Sequence, residues 1–68
     1  MLGNNLTKIR MSRGLTQTEV AKRVNVSAPY INQIESGTRN NLSLEVLNSL
    51  CDALDCTADE LLGRKAAT

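Results

Sequence analysis

Two adjacent amides, Asn32 and Gln33, sit inside the stretch VNVSAPYINQIESG, residues 24–37, flanked by the hydroxyls of Ser27 and Ser36 and followed by Thr38, Arg39 and Asn40. An amide side chain donates and accepts at once. A pair on one helix face therefore suits the joined N6–N7 edge of adenine and is compatible with other base edges in the major groove of DNA. The same pattern would also arise from plain solvation of a helix face. Catalysis fits the chain poorly. It has no histidine to act as a base and no glycine-rich phosphate loop, and Asp59 and Glu60 are neighbours on a helix rather than groups converging on a pocket. Cys51 and Cys56 are too few for a secreted disulfide scaffold, form no recognisable zinc site without histidine, and read as small apolar residues. No metal, cofactor or small-molecule ligand is expected.

The elements that must hold these residues are all helical. Leu6 and Ile9 are three apart, which predicts a first helix capped by Asn4 or Asn5, running to about Ser12 and stopping at Gly14. A second helix is marked more sharply: Thr16 followed by Glu19 is a capping box, and Leu15 with Val20 sits at the positions of a hydrophobic staple. It is expected to halt at Asn25, which tolerates the left-handed conformation that closes a helix. The third helix follows at once. Ser27 as N-cap puts Pro29 in the first turn, where a missing N–H is harmless. Ala28 as cap would put Pro29 at the preferred first position. Gly37 supplies the left-handed exit.

At about 100° per residue, Ser27, Ile31, Ile34 and Glu35 share one face of the third helix and Pro29, Asn32, Gln33 and Ser36 the opposite one, with Ala28 and Tyr30 on the flanks. Ser43 is the expected N-cap of a fourth helix that buries a stripe of Leu44, Leu47, Leu50, Cys51 and Leu54. Thr57 and Glu60 form a second capping box and open a short fifth helix. The fold class is therefore all-α, a compact arrangement of five helices in one domain spanning residues 1–68, with a structured core of about 4–63 and a flexible tail at 64–68.

Bulk properties narrow the class further. Sixty-eight residues, 41% of them hydrophobic, make one small domain that buries only about 60% of its unfolded surface, so each cap should matter. No run of about 18 apolar residues exists and the first ten residues lack a signal peptide's apolar segment, which points to the cytoplasm and away from a membrane. The net charge of +1 hides an asymmetry: residues 1–41 hold six basic and two acidic side chains, a surplus of +4, whereas the remainder holds two basic and five acidic ones, a deficit of −3. Such a split is a usual footprint of a domain that turns its basic end toward a polyanion.

The segments LTQTEVA, VS...I..IE.G and SLEVL..L..AL....DELL, in that order over roughly residues 5–62, resemble the lambda-repressor-like helix-turn-helix family of the Cro/CI (XRE) type. The resemblance implies a sequence-specific regulator of transcription that binds double-stranded DNA as a homodimer on an approximately palindromic operator, with the third helix in the major groove. It places Ala28, Pro29, Asn32 and Gln33 at base edges, and Thr16, Gln17, Ser27, Tyr30, Ser36, Thr38, Arg39 and Asn40 along the phosphate backbone. Arg10 and Glu35 are similar to a structural ion pair of the family. A dimer surface is expected near Asp55, Cys56, Thr57 and Asp59. Asn25 and Asp55 stand where the family commonly has glycine, and Cys56 where it usually has valine. The alternative is a protein-interaction module or antitoxin-like component built on the same fold.

Overall fold

The computed structural model describes residues 2–63, in the order α1 (Leu2–Ser12), α2 (Gln17–Val24), α3 (Ala28–Ser36), α4 (Leu44–Leu54) and α5 (Ala58–Leu62). The expected tail at 64–68 lies outside the described residues. Local chemistry sets most of the boundaries. Thr16 and Thr57 each accept from the backbone N–H three residues on, and Glu19 and Glu60 each accept from the cap's own N–H, completing both capping boxes. The N–H of Thr16 and its hydroxyl hold the Glu19 carboxyl below its usual range.

Ser27 and Ser43 cap α3 and α4 through Tyr30 N–H and Val46 N–H. The cap of α3 is thus Ser27 and not Ala28, with Ala28 first in the helix and Pro29 second, both among the orphan donor positions of a helix start. Asn25 and Asp55 close α2 and α4 with φ of 59° and 52°, the only non-glycine residues with positive φ among those described. Short polar side chains tolerate this conformation better than others.

Two expectations are corrected. The first helix does not begin at Asn4 or Asn5; it includes Leu2 and Gly3, and neither asparagine is a cap. The reason is tertiary. Gly3 is buried against the end of α3, where a Cβ would stand 2.6 Å from the Glu35 carbonyl oxygen and 2.7 Å from that of Ile34, so only glycine permits this approach. In α4, Leu50 and Leu54 are fully buried and Leu47 and Cys51 half-buried, but Leu44 is 71% exposed. It lies in the first turn and about 80° around the helix from Leu54, at the edge of the buried stripe.

The core joins Leu6, Val20, Ala21, Val24, Ile31, Ile34, Leu50, Leu54 and Leu61, so every helix contributes to it. Leu15 packs against this cluster as a staple residue requires. α3 packs on both α1 and α2, α4 packs on α2, and α5 packs on α1 and α4. The outer face of α3 is left open. No helix among the described residues is long and apolar enough to cross a membrane.

Candidate nucleic-acid interface

α3 is amphipathic in the expected sense. Ile31 and Ile34 have no exposure at all, Ala28 and Tyr30 are half-buried at the flanks, and Pro29, Asn32 and Ser36 are exposed with Gln33 half-exposed beside them. All four residues assigned to base edges therefore occupy the first and middle turns of one helix, with Pro29 and Asn32 exposed and Ala28 and Gln33 half-buried.

Beneath this face a polar network fixes α3 to α1 and to the start of α2. The Glu35 carboxylate accepts from Arg10 Nε at 2.7 Å and Nη2 at 3.1 Å, from Thr7 Oγ1 at 2.9 Å and from Gln17 Nε2 at 3.1 Å. Arg10 Nη1 donates to the Leu15 carbonyl at 2.7 Å, so all three guanidinium nitrogens are engaged. Both side chains are largely shielded, at 14% and 7% exposure. Burial pushes the Glu35 carboxyl upward, but hydrogen bonds from Arg10, Gln17 and Thr7 with the Arg10 charge outweigh it and hold the group below its ordinary range. The expected Arg10–Glu35 pair is present; Thr7 and the Leu15 carbonyl are additions that sequence spacing does not reveal.

This network bears on Gln17, which is assigned to a phosphate. One hydrogen of its amide goes to Glu35, and the second remains to be donated outward. Thr16 and Ser27 are similar: each hydroxyl oxygen accepts a cap bond, which leaves its own O–H as a donor. Ser36 Oγ lies 3.2 Å from the Gln33 carbonyl and 3.0 Å from Thr38 Oγ1, so these two hydroxyls form a local pair. Asn40 is exposed and lines a shallow concavity with Gln33, Thr38, Arg39 and Asn41.

Arg39 is the best-held cation on this face. Its backbone N–H donates to the Gln33 carbonyl at 3.0 Å, its Nε to Gln33 Oε1 at 3.2 Å, and its guanidinium lies 4.7 Å from the centre of the Tyr30 ring. Three other arginines of the first 41 residues are placed elsewhere. Arg10 is spent on Glu35; Arg13 caps the end of α4 by donating to the carbonyls of Leu54 at 2.8 Å and Asp55 at 3.1 Å; and Arg23 borders Ser49, Asp52 and Ala53 of α4. Arg10 and Arg13 are thus engaged within the fold, so the charge surplus of the first 41 residues does not by itself mark this face.

The four residues assigned to a dimer surface lie at the turn between α4 and α5 and the start of α5. Asp55 is exposed at the turn, Thr57 carries the cap of α5, Asp59 is half-buried, and Cys56 packs on the core. Burial and the adjacent Cys51 push the Cys56 thiol up to about 11, consistent with an apolar role for both cysteines. Among the described residues no group of three or more histidines, cysteines or carboxylates gathers as a metal would need.

A helix-turn-helix family model matches residues 6–61. The transcriptional regulator DdrOP3 of Deinococcus deserti is 38% identical over 61 residues, covering 90% of this chain and 46% of its own length. The chain thus spans about half of that curated relative. Among solved structures, the restriction-modification controller protein C.AhdI of Aeromonas hydrophila is 33% identical with a TM-score of 0.82, covering 88% of this chain and 89% of that one. SinR, a master regulator for biofilm formation solved in complex with DNA, is 27% identical with a TM-score of 0.86, covering 91% of this chain and 98% of that one.

Proposed function

The chain belongs to the helix-turn-helix family of the Cro/CI (XRE) type, and from that premise we propose that it is a cytoplasmic regulator of transcription, one helix-turn-helix domain over residues 1–68 that reads double-stranded DNA. The observation that carries the reading is the division of α3: an inner face locked to α1 and α2 by the Arg10–Glu35 network, and an outer face of Pro29, Asn32 and Gln33 held open at a fixed angle. A rigidly presented helix with short polar side chains is what entry into a major groove requires.

In this reading Ala28 and Pro29 make apolar contact at the groove, for instance with a thymine methyl, and Asn32 and Gln33 supply hydrogen bonds to base edges. The N-terminus of α2, with Gln17 and Thr16, grips one phosphate strand, and Ser27, Tyr30, Ser36, Thr38, Arg39 and Asn40 grip the other side of the groove. The Gln17 amide bridges Glu35 and phosphate at once, so backbone gripping is registered to the orientation of α3. Few free cations on this face mean a modest phosphate contribution per subunit. That favours a homodimer on an approximately palindromic site, its two recognition helices about 34 Å apart, with contact through the surface around Asp55, Cys56, Thr57 and Asp59.

Selection of bound sequences from a random duplex pool tests the reading, with the Gln33→Ala protein run in parallel. The expected result is an enriched two-fold symmetric site whose preference relaxes at one symmetric pair of positions in the variant. Failure of wild-type protein to enrich any sequence would turn attention to a protein partner. Light scattering with the selected duplex checks the stoichiometry, and a single-subunit mass on DNA would rule out the dimer.

A further inference from the structure

Gln33 is an amide that in principle can read either donors or acceptors, and which it does depends on which way its amide points. Here its orientation is set from outside α3. Arg39 Nε donates to Gln33 Oε1 at 3.2 Å, and the same guanidinium lies over the Tyr30 ring at 4.7 Å. The residue is anchored a third time by its backbone N–H on the Gln33 carbonyl at 3.0 Å. Tyr30, Gln33 and Arg39 therefore form a small assembly in which one turn of α3 and the following loop hold each other. Its consequence is chemical: the Gln33 carbonyl oxygen faces a cation, and its NH2 group is the part turned away.

We propose that Arg39 is a positioning residue for base readout: by holding the Gln33 amide in this orientation, it makes the Gln33 position favour guanine over adenine. Bidentate reading of adenine needs Oε1 to accept from N6–H while Nε2 donates to N7. In the assembly that oxygen already accepts from Arg39, and an approaching N6–H would bring its positive hydrogen toward the guanidinium. Guanine presents only acceptors, N7 and O6, on the same edge. With its oxygen held by Arg39, the Gln33 amide presents its NH2 as a donor, to which an acceptor-only edge is the complement. Lysine cannot replace Arg39 in this task, because it lacks the planar fork whose Nε–H meets the amide while the same group lies over an aromatic ring.

The inference rests on α3 being the recognition helix, and its test separates the two. The base pair read by Gln33 is first located as the position at which Gln33→Ala loses preference. Affinities are then measured for two duplexes that differ only there, guanine against adenine, using wild type, Arg39→Ala and Arg39→Lys. Wild type is expected to favour guanine roughly tenfold, in line with a good base contact. Both Arg39 variants are expected to lose most of that ratio, to about twofold or less. Arg39→Lys should nevertheless retain more overall affinity than Arg39→Ala, because it keeps the charge. A wild-type preference for adenine, or a guanine preference that survives in both variants, overturns the proposal while leaving the DNA-binding reading intact. Full retention of the ratio by Arg39→Lys alone also overturns it, since charge would then suffice. No sequence preference in the wild type overturns both.

A second measurement needs no DNA. In the free protein, the Gln33 side-chain amide resonances should move in both Arg39 variants, while the backbone amides of Ile31 and Ile34 stay in place because Arg39 is exposed and outside the core. Unmoved Gln33 resonances would show that the bond is not made in solution, and would overturn the proposal.

Discussion

The two faces of α3 use their polar groups in opposite ways. On the inner face, the Glu35 carboxylate meets donors from Thr7, Arg10 and Gln17, and Arg10 spends all three of its nitrogens within the molecule. On the outer face, Arg39 spends only Nε on a side chain, and Asn32 stands exposed. The same residue type thus fastens helices in one place and faces solvent in the other. A count of basic residues cannot separate these roles: Arg10 and Arg13 contribute as much to the sequence's charge surplus as Arg39 does, yet both are committed to holding α1, α3 and α4 together.

If the inner face is structural, breaking it should cost stability and leave base preference untouched. Glu35→Ala strands the shielded Arg10 guanidinium and removes the acceptor of the Gln17 amide, while Thr7 keeps the Gly3 carbonyl at 3.0 Å. A loss of about 3–5 kcal/mol is expected in urea unfolding, much of the stability of a domain this small. The protein that remains folded should select the same DNA site. Next in size is Gly3→Ala. Its Cβ would meet the carbonyls of Ile34 and Glu35, so α1 must move off α3 at a cost of about 1–3 kcal/mol. A neutral Gly3→Ala would mean that the close approach of α1 is not fixed.

The difference between the faces also marks what could be read in the chain beforehand. The caps at Thr16, Ser43 and Thr57 and the left-handed stop at Asn25 were legible because each is decided within three or four residues, whereas at α3 the sequence left Ser27 and Ala28 as alternatives and the fold selects Ser27. The burial of Ile31 and Ile34 opposite Asn32 and Gln33 followed from periodicity alone. The Arg10–Glu35 pair was implied only by family resemblance, because its partners are 25 residues apart. Features settled by distant neighbours were not legible. The start of α1 at Leu2 depends on the fit of Gly3 against α3, and the α4 cap from Arg13 comes from 41 residues away. The exposure of Leu44 depends on where the core ends. On the outer face of α3, periodicity separated the polar side from the buried one, but no sequence rule signals that Arg39 returns to Gln33.

Smaller effects sharpen the contrast. The folded pKa of Glu35 lies below its ordinary value, so its contribution is fully present above the unfolded carboxylate range and is lost as pH falls through the depressed folded value. Unfolding free energy should therefore decline from about pH 5 downward, and Glu35→Gln should flatten that decline, leaving the part due to Glu19, whose pKa is lowered too. An unchanged slope in Glu35→Gln would assign the acid sensitivity elsewhere. The smallest effect is expected at Leu44, where a change to serine should alter stability by less than about 0.5 kcal/mol because the side chain is outside the core. A larger loss would show that Leu44 is covered in solution.

The central claim is that the outer face of α3, and not the α4–α5 end, meets DNA. Titration of 15N-labelled protein with a mixed-sequence duplex at low salt tests it directly. Shifts should concentrate at residues 16–17 and 27–40, with the side-chain amides of Asn32 and Gln33 among the most affected, and residues 44–62 should change little. Shifts confined to 44–62, or none at a salt concentration where binding is seen by another method, would contradict the account.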